Sequence, residues 1–298
     1  MTSPETHEVP AHASPVDTAA FGRYRLPHVD DEHPLIRFTG RVTADGSSGF
    51  RAEPGRYHLY GGLFCPWSHR ATIVRRLRGL DDVVSLSYVD DERDGRGWAF
   101  RATRGADPVN GFRLLRQAYE ATEPGFAGHV SVPALWDRER GRLVSNHYGG
   151  IDLDLATQFA PGPGAVELVP DDLADDVDAL DGWIGPAVNH GAGAASGTGP
   201  DAEAAREALQ HALSDLDARL AGGRYLLGDR LTLADVRLWV TLVRYRPADG
   251  APALVDHEHL WAYARDLYAL PAFRETTDFA SFGAADAAAA WDVAPVTA

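Results

Sequence analysis

The sequence predicts a small α/β unit followed by an all-α unit. Three observations carry that reading. From about residue 57 to residue 159, short β-branched or aromatic runs alternate with stretches of helical spacing. The segment Ala160-Pro161-Gly162-Pro163-Gly164 then breaks the pattern and reads as a linker by composition. Beyond it, nearly every periodic stretch has the spacing of a helix.

Each element follows in order. Residues 1–50 are polar and rich in Pro and Asp, and are expected to form an extended arm. The α/β domain is placed at 51–160. There Tyr57-His58-Leu59-Tyr60 reads as a strand before the turn Gly61-Gly62, and Val83 to Val89 as a second strand. From Ser68 to Leu80, the apolar residues Ala71, Ile73, Val74, Leu77 and Leu80 fall at roughly helical spacing among arginines. A helix is expected near Gly111 to Ala121, strands at Val130 to Trp136 and Arg142 to Ser145, and a helix from Ile151 to Phe159. This order matches the thioredoxin arrangement, a small sheet of mixed direction flanked by helices. Residues 161–172 are taken as the linker, and 173–298 as the all-α domain with a C-terminal tail. Its helices are predicted at about Leu173 to Val188, Ala202 to Leu220, Leu233 to Tyr245 and Leu260 to Leu267, with Gly191 to Gly199 a flexible loop. Thr232 and Asp235 have capping-box spacing, and Val236 to Val243 is apolar nearly all round, which places that helix at the centre of a bundle.

Composition narrows the chemistry. The 298 residues suffice for two domains with real cores. All 28 basic residues are Arg, against 43 Asp and Glu, for a net charge of -15. A phosphate-binding partner needs a basic field, so neither nucleic acid nor an anionic membrane is expected. No apolar run is long enough to span a bilayer, and the start of the chain lacks the pattern of a signal peptide. The absence of Lys excludes Schiff-base and P-loop lysine chemistry. One Cys excludes an intrachain disulfide, a CxxC pair and a multi-cysteine zinc site. His257-Glu258-His259 has the look of a metal-ligand cluster but lacks a placed third ligand, so no metal is expected. A cytoplasmic protein is the expectation.

The one thiol, Cys65, stands where a strand turns into a helix, with Pro66 fit for the first helical position. There it faces unpaired helix N–H groups and the positive end of the dipole, and His69 and Arg70 follow within about a turn; a thiolate is the expectation. A lone Cys is otherwise most often a small buried hydrophobe. Ser68 occupies the place of a second CxxC cysteine, so redox chemistry requires a mixed disulfide resolved by an external thiol. Pro133 begins a strand after Val132, and such a proline is tolerated at an edge or with a cis bond; a cis bond is expected to turn the Val132 backbone toward a peptide-like ligand. Trp98 is a candidate either to cover a ligand or to pack.

Taken together, Phe64-Cys65-Pro66-Trp67-Ser68-His69-Arg70, Gly97-Trp98-Ala99-Phe100, Asp107-Pro108-Val109-Asn110-Gly111-Phe112 and Val132-Pro133-Ala134-Leu135-Trp136-Asp137 resemble the xi class of glutathione transferases, the glutathionyl-hydroquinone reductases. Tyr225 to Asp229, Leu231 to Leu238 and Leu260 to Tyr268 continue the likeness, which runs from about residue 33 to 280. The resemblance implies the glutathione transferase fold and a homodimer that reduces thiol conjugates of hydroquinones. It implies that Cys65 attacks the sulfur of the conjugate, that Trp98 lies against the bound thiol and that Val132 before cis-Pro133 pairs with its cysteinyl backbone. The implied partners are a small thiol and an aromatic electrophile or thiol conjugate.

The chain departs from the family in two places. Where the family carries the Glu-Ser pair that holds the γ-glutamyl end of glutathione, it reads Asn146-His147-Tyr148-Gly149. Where the family places tyrosines to protonate the hydroquinone, it reads Gly185-Pro186-Ala187-Val188-Asn189-His190, and no Tyr follows Tyr268. The thiol is therefore expected to be glutathione or another low-molecular-weight thiol such as mycothiol, with His147 and Tyr148 as replacement thiol-binding groups and Trp67 and Tyr245 on the substrate side. A non-catalytic ligand-binding protein on a degenerate transferase scaffold is the second reading, favoured by the lost motifs and opposed by the retained Cys65 and Pro133. A conjugating transferase without a covalent intermediate is disfavoured because the residue before Pro66 is Cys rather than Ser or Tyr.

Overall fold

The structure is a computed structural model that describes residues 12–247 and 252–291. Expectations about residues 1–11 of the arm and about the tail beyond Trp291 lie outside the described residues. In chain order the elements are helix α1 (Thr18–Phe21), strand β1 (Tyr57–Gly61), α2 (Pro66–Leu77), β2 (Val84–Tyr88), α3 (Arg116–Thr122), β3 (Ala134–Asp137), β4 (Arg142–Ser145) and α4 (Tyr148–Thr157). There follow α5 (Ala174–Ile184), a π-helical turn (Gly185–His190), α6 (Gly191–Ala195), α7 (Pro200–Leu220), α8 (Leu233–Leu242), α9 (Glu258–Ala269), α10 (Pro271–Arg274) and α11 (Ala288–Trp291). The chain divides into two compact units, one drawn from Met1–Gly62 and Asp82–Ile151, the other from Leu63–Asp81 and Asp152–Ala298. This grouping cuts across the sequence boundaries, since α2 goes with the helical residues. The reason is local: α2 is buried on nearly every face and packs against α8 and α10.

The first unit holds the sheet, in the order β2-β1-β3-β4. β1 runs parallel to β2 and antiparallel to β3, so that Leu59 lies between Leu86 and Leu135. β3 and β4 pair antiparallel, with a register shift at Leu135/Trp136. This is the mixed sheet that the sequence predicts. Every residue of β1 is buried, as a central strand requires. The Arg56 guanidinium makes two bonds to the fully buried Asp137 carboxylate at the far end of β3. The described part of the arm docks on this unit: the Ala13 N–H donates to the Phe100 carbonyl, and Thr39 bridges to Ser145.

In the second unit α8 is buried from Leu233 to Val240, in agreement with its apolar sequence. Trp239 is its anchor. The indole N–H donates to the Ala264 carbonyl at 2.9 Å, and Phe273, Tyr268 and Trp291 ring it at 5.0–6.4 Å between centroids. The predicted box at the start of α8 is present: the Asp235 carboxylate accepts from the Thr232 N–H at 2.7 Å. It also takes the Leu226 N–H and the Tyr263 hydroxyl. After α2 the chain turns at Gly79, whose φ of +64° brings it against the linker; a side chain at Gly162 would meet the Gly79 carbonyl oxygen at 2.1 Å.

Several boundaries differ from expectation: α3 starts at Arg116 rather than near Gly111, β3 at Ala134 rather than Val130, α4 runs Tyr148–Thr157 rather than from Ile151 to Phe159, and α8 stops at Leu242 rather than Tyr245. Gly191 to Ala195 is helical, so α5, the π turn and α6 form one continuous helical run from Ala174, and the glycine-rich loop is confined to residues 196–199. Small residues tolerated there by local packing override the flexibility that their composition suggests. The extra residue of the π turn falls on the stretch Gly185–His190, where such bulges frequently mark functional positions.

Candidate active site

Cys65 is the N-cap of α2, in extended conformation (φ -87°, ψ 119°), and Pro66 is the first helical residue. The placement is the one predicted, but the electrostatics are not. Burial pushes the Cys65 thiol above the ordinary cysteine value, because the sulfur is almost wholly removed from water. The N–H groups of Ser68 and Trp67 and the charge of Arg244 oppose this and only partly offset it. The helix end by itself does not make a thiolate here.

The two cations expected from the sequence do not supply the missing charge. His69 is buried and held neutral, its pKa driven well below 6.5 by desolvation and then by Arg244. Its Nδ1 accepts from the Arg244 Nη1 at 2.9 Å, which leaves the proton on Nε2 to donate to the Thr276 hydroxyl at 3.0 Å. Arg70 is taken up elsewhere: its Nη2 donates to the Asn189 side-chain oxygen at 2.6 Å, and its guanidinium covers the Trp67 ring at 4.7 Å. The cation that acts on the sulfur is Arg244, at the C-terminal end of α8. Arg244 donates to the Leu63 carbonyl at 3.0 Å and to the Val240 carbonyl at 3.1 Å, and it faces the Phe282 ring at 4.3 Å. It has no carboxylate partner among the described residues, and desolvation lowers its pKa to about 10, which leaves it charged at neutral pH. Its Nε is buried without an acceptor.

Pro66 and Arg244 also line a cavity of about 560 Å³ within this unit. Its other walls come from Asn189 of the π turn, Ala192 and Ala195 of α6, Arg206, Leu209 and Gln210 of α7, and Thr241, Tyr245 and Arg246 around the end of α8. The volume suits a small aromatic ligand. Tyr245, predicted on the substrate side, lies in this wall. Its hydroxyl accepts from the Gln210 amide at 2.6 Å and donates to the Pro252 carbonyl at 3.1 Å, and burial raises its pKa, so it is protonated at neutral pH. Trp67, also expected there, stacks at a tilt on His190 with 5.2 Å between ring centroids.

The predicted thiol-binding residues belong to the sheet unit. The Val132–Pro133 peptide is cis, as expected. Trp98 has the Arg93 guanidinium over its ring at 4.3 Å, and the same guanidinium lies 3.9 Å from the Tyr24 ring of the arm. Asn146 faces inward: its side chain accepts from the Phe38 N–H and donates to the Ser131 hydroxyl. His147, the next residue, is half-buried ahead of α4, and its ring makes no hydrogen bond among the described residues. Tyr148 follows at the first position of α4, with its ring 5.9 Å from that of His147. Among the described residues no group of three or more His, Cys, Asp or Glu side chains is placed to hold a metal, and no helix is long and apolar enough to cross a membrane.

Two family models match the chain. The glutathione S-transferase N-terminal domain covers residues 64–146, and the C-terminal domain covers residues 199–266. The chain is 38% identical over 261 residues to the glutathionyl-hydroquinone reductase YqjG of Escherichia coli, covering 81% of this chain and 79% of that protein. It belongs to the xi-class glutathione transferases, the glutathionyl-hydroquinone reductase family. As an xi-class chain it is a glutathione-transferase-like thiol oxidoreductase, with a thioredoxin-like mixed sheet and a helical C-terminal domain. The solved xi-class structure from Natrialba magadii superposes with a TM-score of 0.80 at 33% identity, covering 88% of this chain and 85% of that one. The glutathione-bound structure of the E. coli protein gives a TM-score of 0.77 at 34% identity, covering 83% and 86%. In this xi-class chain, sequence reasoning missed Arg244, Gln210 and Arg206. The available signal was the Arg244-Tyr245-Arg246 triplet directly after an apolar helix.

Proposed function

We propose that the protein is a single-cysteine, thiol-dependent reductase of thiol conjugates of hydroquinones. The observation that carries the proposal is Cys65 at the mouth of α2, bonded in sequence to a proline that lines a ring-sized cavity and electrostatically coupled to an arginine with no carboxylate partner among the described residues. In the first step the Cys65 thiolate attacks the sulfur of the conjugate. The new S–S bond forms a mixed disulfide, and the C–S bond breaks with its electron pair going to the ring carbon, which takes a proton. In the second step a thiolate of the same small thiol attacks the mixed disulfide, releasing the disulfide of that thiol and restoring Cys65. The ring gains two electrons and two thiols lose them. We assign Tyr245 as the proton donor to the ring: it stays protonated in the cavity wall, and its hydroxyl turns from the Pro252 carbonyl to the ring carbon once the conjugate is seated. Trp98, Val132, Pro133, His147 and Tyr148 are assigned to the thiol, and Trp67 to the substrate side.

The relatives' names point to glutathione as the thiol. A second thiol, mycothiol, is favoured by one observation: at the family's carboxylate position stands His147, an imidazole with no hydrogen bond among the described residues, suited to a neutral sugar rather than to an ammonium. A cytoplasmic homodimer completes the proposal. The test is intact-mass analysis after exposure to oxidised glutathione and, separately, oxidised mycothiol. A single adduct on the wild type that is absent from Cys65→Ser is expected. An adduct with glutathione alone refutes the mycothiol reading, and no adduct with either supports the non-catalytic scaffold instead.

A further inference from the structure

The cavity beside Pro66 is lined by three arginines, Arg206, Arg244 and Arg246, and by no Asp or Glu among the described residues. This runs against the composition. The chain has 43 acidic residues for 28 arginines, and other arginines find carboxylates: Arg237 with Asp152 and Asp181, Arg101 with Asp90 and Asp94, Arg76 with Asp81 and Glu275. None of the three cavity arginines has an ion pair among the described residues. Arg206 uses one nitrogen on the Ala195 and Gly197 carbonyls, and Arg246 one nitrogen on the Tyr245 carbonyl, so each keeps further N–H donors uncommitted.

Two buried polar atoms at the same cavity lack partners. Arg244 Nε is a donor without an acceptor. Gln210 Oε1 is an acceptor without a donor, because the amide is oriented by giving its N–H to Tyr245, whose own hydroxyl is committed to Pro252. Both atoms are closed off in the wall behind the cavity, so the donors that face a ligand are the remaining N–H groups of Arg206 and Arg246.

We infer that this cavity takes an aromatic ring bearing a carboxylate beside its hydroxyl groups, so that the preferred electrophile is the thiol conjugate of a hydroxylated aromatic acid rather than of a neutral hydroquinone. The guanidinium donors of Arg206 and Arg246 receive the carboxylate, and the apolar wall of Ala192, Ala195 and Leu209 takes the ring. The inference rests on the proposed function for the reaction itself, but the recognition stands on the cavity alone and is measured without turnover.

The experiment is calorimetric titration of the full-length protein with three probes: 2,5-dihydroxybenzoate, its methyl ester and unsubstituted hydroquinone. The acid is expected to bind about tenfold or more tightly than the ester, as a charge-assisted hydrogen bond would give. The preference should weaken with added salt and shrink several-fold in Arg206→Gln and Arg246→Gln, with thermal melts confirming that both variants fold. Equal affinity of acid and ester, a preference for the ester, binding of neither, or a preference undiminished in both variants overturns the inference. Intact-mass analysis of the wild type beside the titration separates the two proposals. A preference for the acid in a wild-type protein that forms no mixed disulfide with either oxidised thiol supports the cavity assignment and condemns the thiol mechanism. A mixed disulfide without the preference does the reverse.

Discussion

At the scale of single residues, the chemistry turns on a contest between burial and charge at Cys65. Burial wins in the resting protein, and the thiol is protonated at neutral pH. The sign then follows. A raised thiol pKa means that the reactive thiolate accumulates only as pH rises, so the rate of the first step should climb from neutral into alkaline pH without levelling near 7. Arg244 holds the pKa below what burial alone would impose, and removing its charge pushes the thiol further up. Arg244→Met should therefore lower the rate of disulfide exchange several-fold at neutral pH, move the pH profile to the alkaline side and recover much of the rate at high pH. Stopped-flow alkylation of Cys65 across the pH range measures this. An unshifted profile would show that Arg244 serves only to hold His69 and the Leu63 and Val240 carbonyls. Tyr245→Phe should leave mixed-disulfide formation with oxidised thiol intact but slow release of the ring by about a hundredfold, the usual scale for general acid catalysis.

At the scale of elements, α8 organises the helical unit through its two ends and its middle. Its start is fastened by Asp235, which accepts from Leu226, Thr232 and Tyr263. Asp235→Ala would strand these buried donors and should destabilise the protein by at least about 3 kcal/mol in denaturant titration. Its middle is fastened by Arg237, whose side chain is 6% exposed and which pairs with Asp152 of α4 and Asp181 of α5. Breaking a buried pair from one side leaves the other charge uncompensated, so Asp152→Asn should cost roughly 3 kcal/mol or more. Its far end carries Arg244 to the sulfur. The cap was legible in the sequence, because Thr232 and Asp235 are three residues apart and local geometry alone joins them. The Arg237 pair was not, since Asp152 lies 85 residues away and only the packing of α4 against α8 brings it near.

At the scale of the whole molecule, the legible features are local and the illegible ones depend on long-range placement. The succession of strands and helices along the sheet unit, the Cys65–Pro66 turn and the central apolar helix all follow from short segments, and all are present, whereas the cis Val132–Pro133 bond was one of two local readings and was singled out by the resemblance. The state of the thiol was misread because His69 and Arg70, its neighbours in sequence, are claimed by Thr276 and Asn189 far along the chain, while the effective cation stands nearly 180 residues away. The continuation of helix through Gly191–Ala195 was hidden by glycine content, and the grouping of α2 with the helical residues by its position between two strands. The lack of lysine and of a second cysteine excludes whole chemistries on composition alone. Against the acidic composition, a cavity lined by three arginines and, among the described residues, by no Asp or Glu is a placement that composition alone does not give.

The central claim is that Cys65 itself takes the thiol from a conjugate. A single-turnover experiment with a glutathionyl- or mycothiol-hydroquinone conjugate, quenched and read by intact mass in the absence of any second thiol, tests it most directly. The account predicts release of one hydroquinone for each Cys65, a mixed disulfide accumulating at the same rate, and further turnover only when free thiol is added. Hydroquinone release without a protein adduct, or undiminished release by Cys65→Ser, would contradict it.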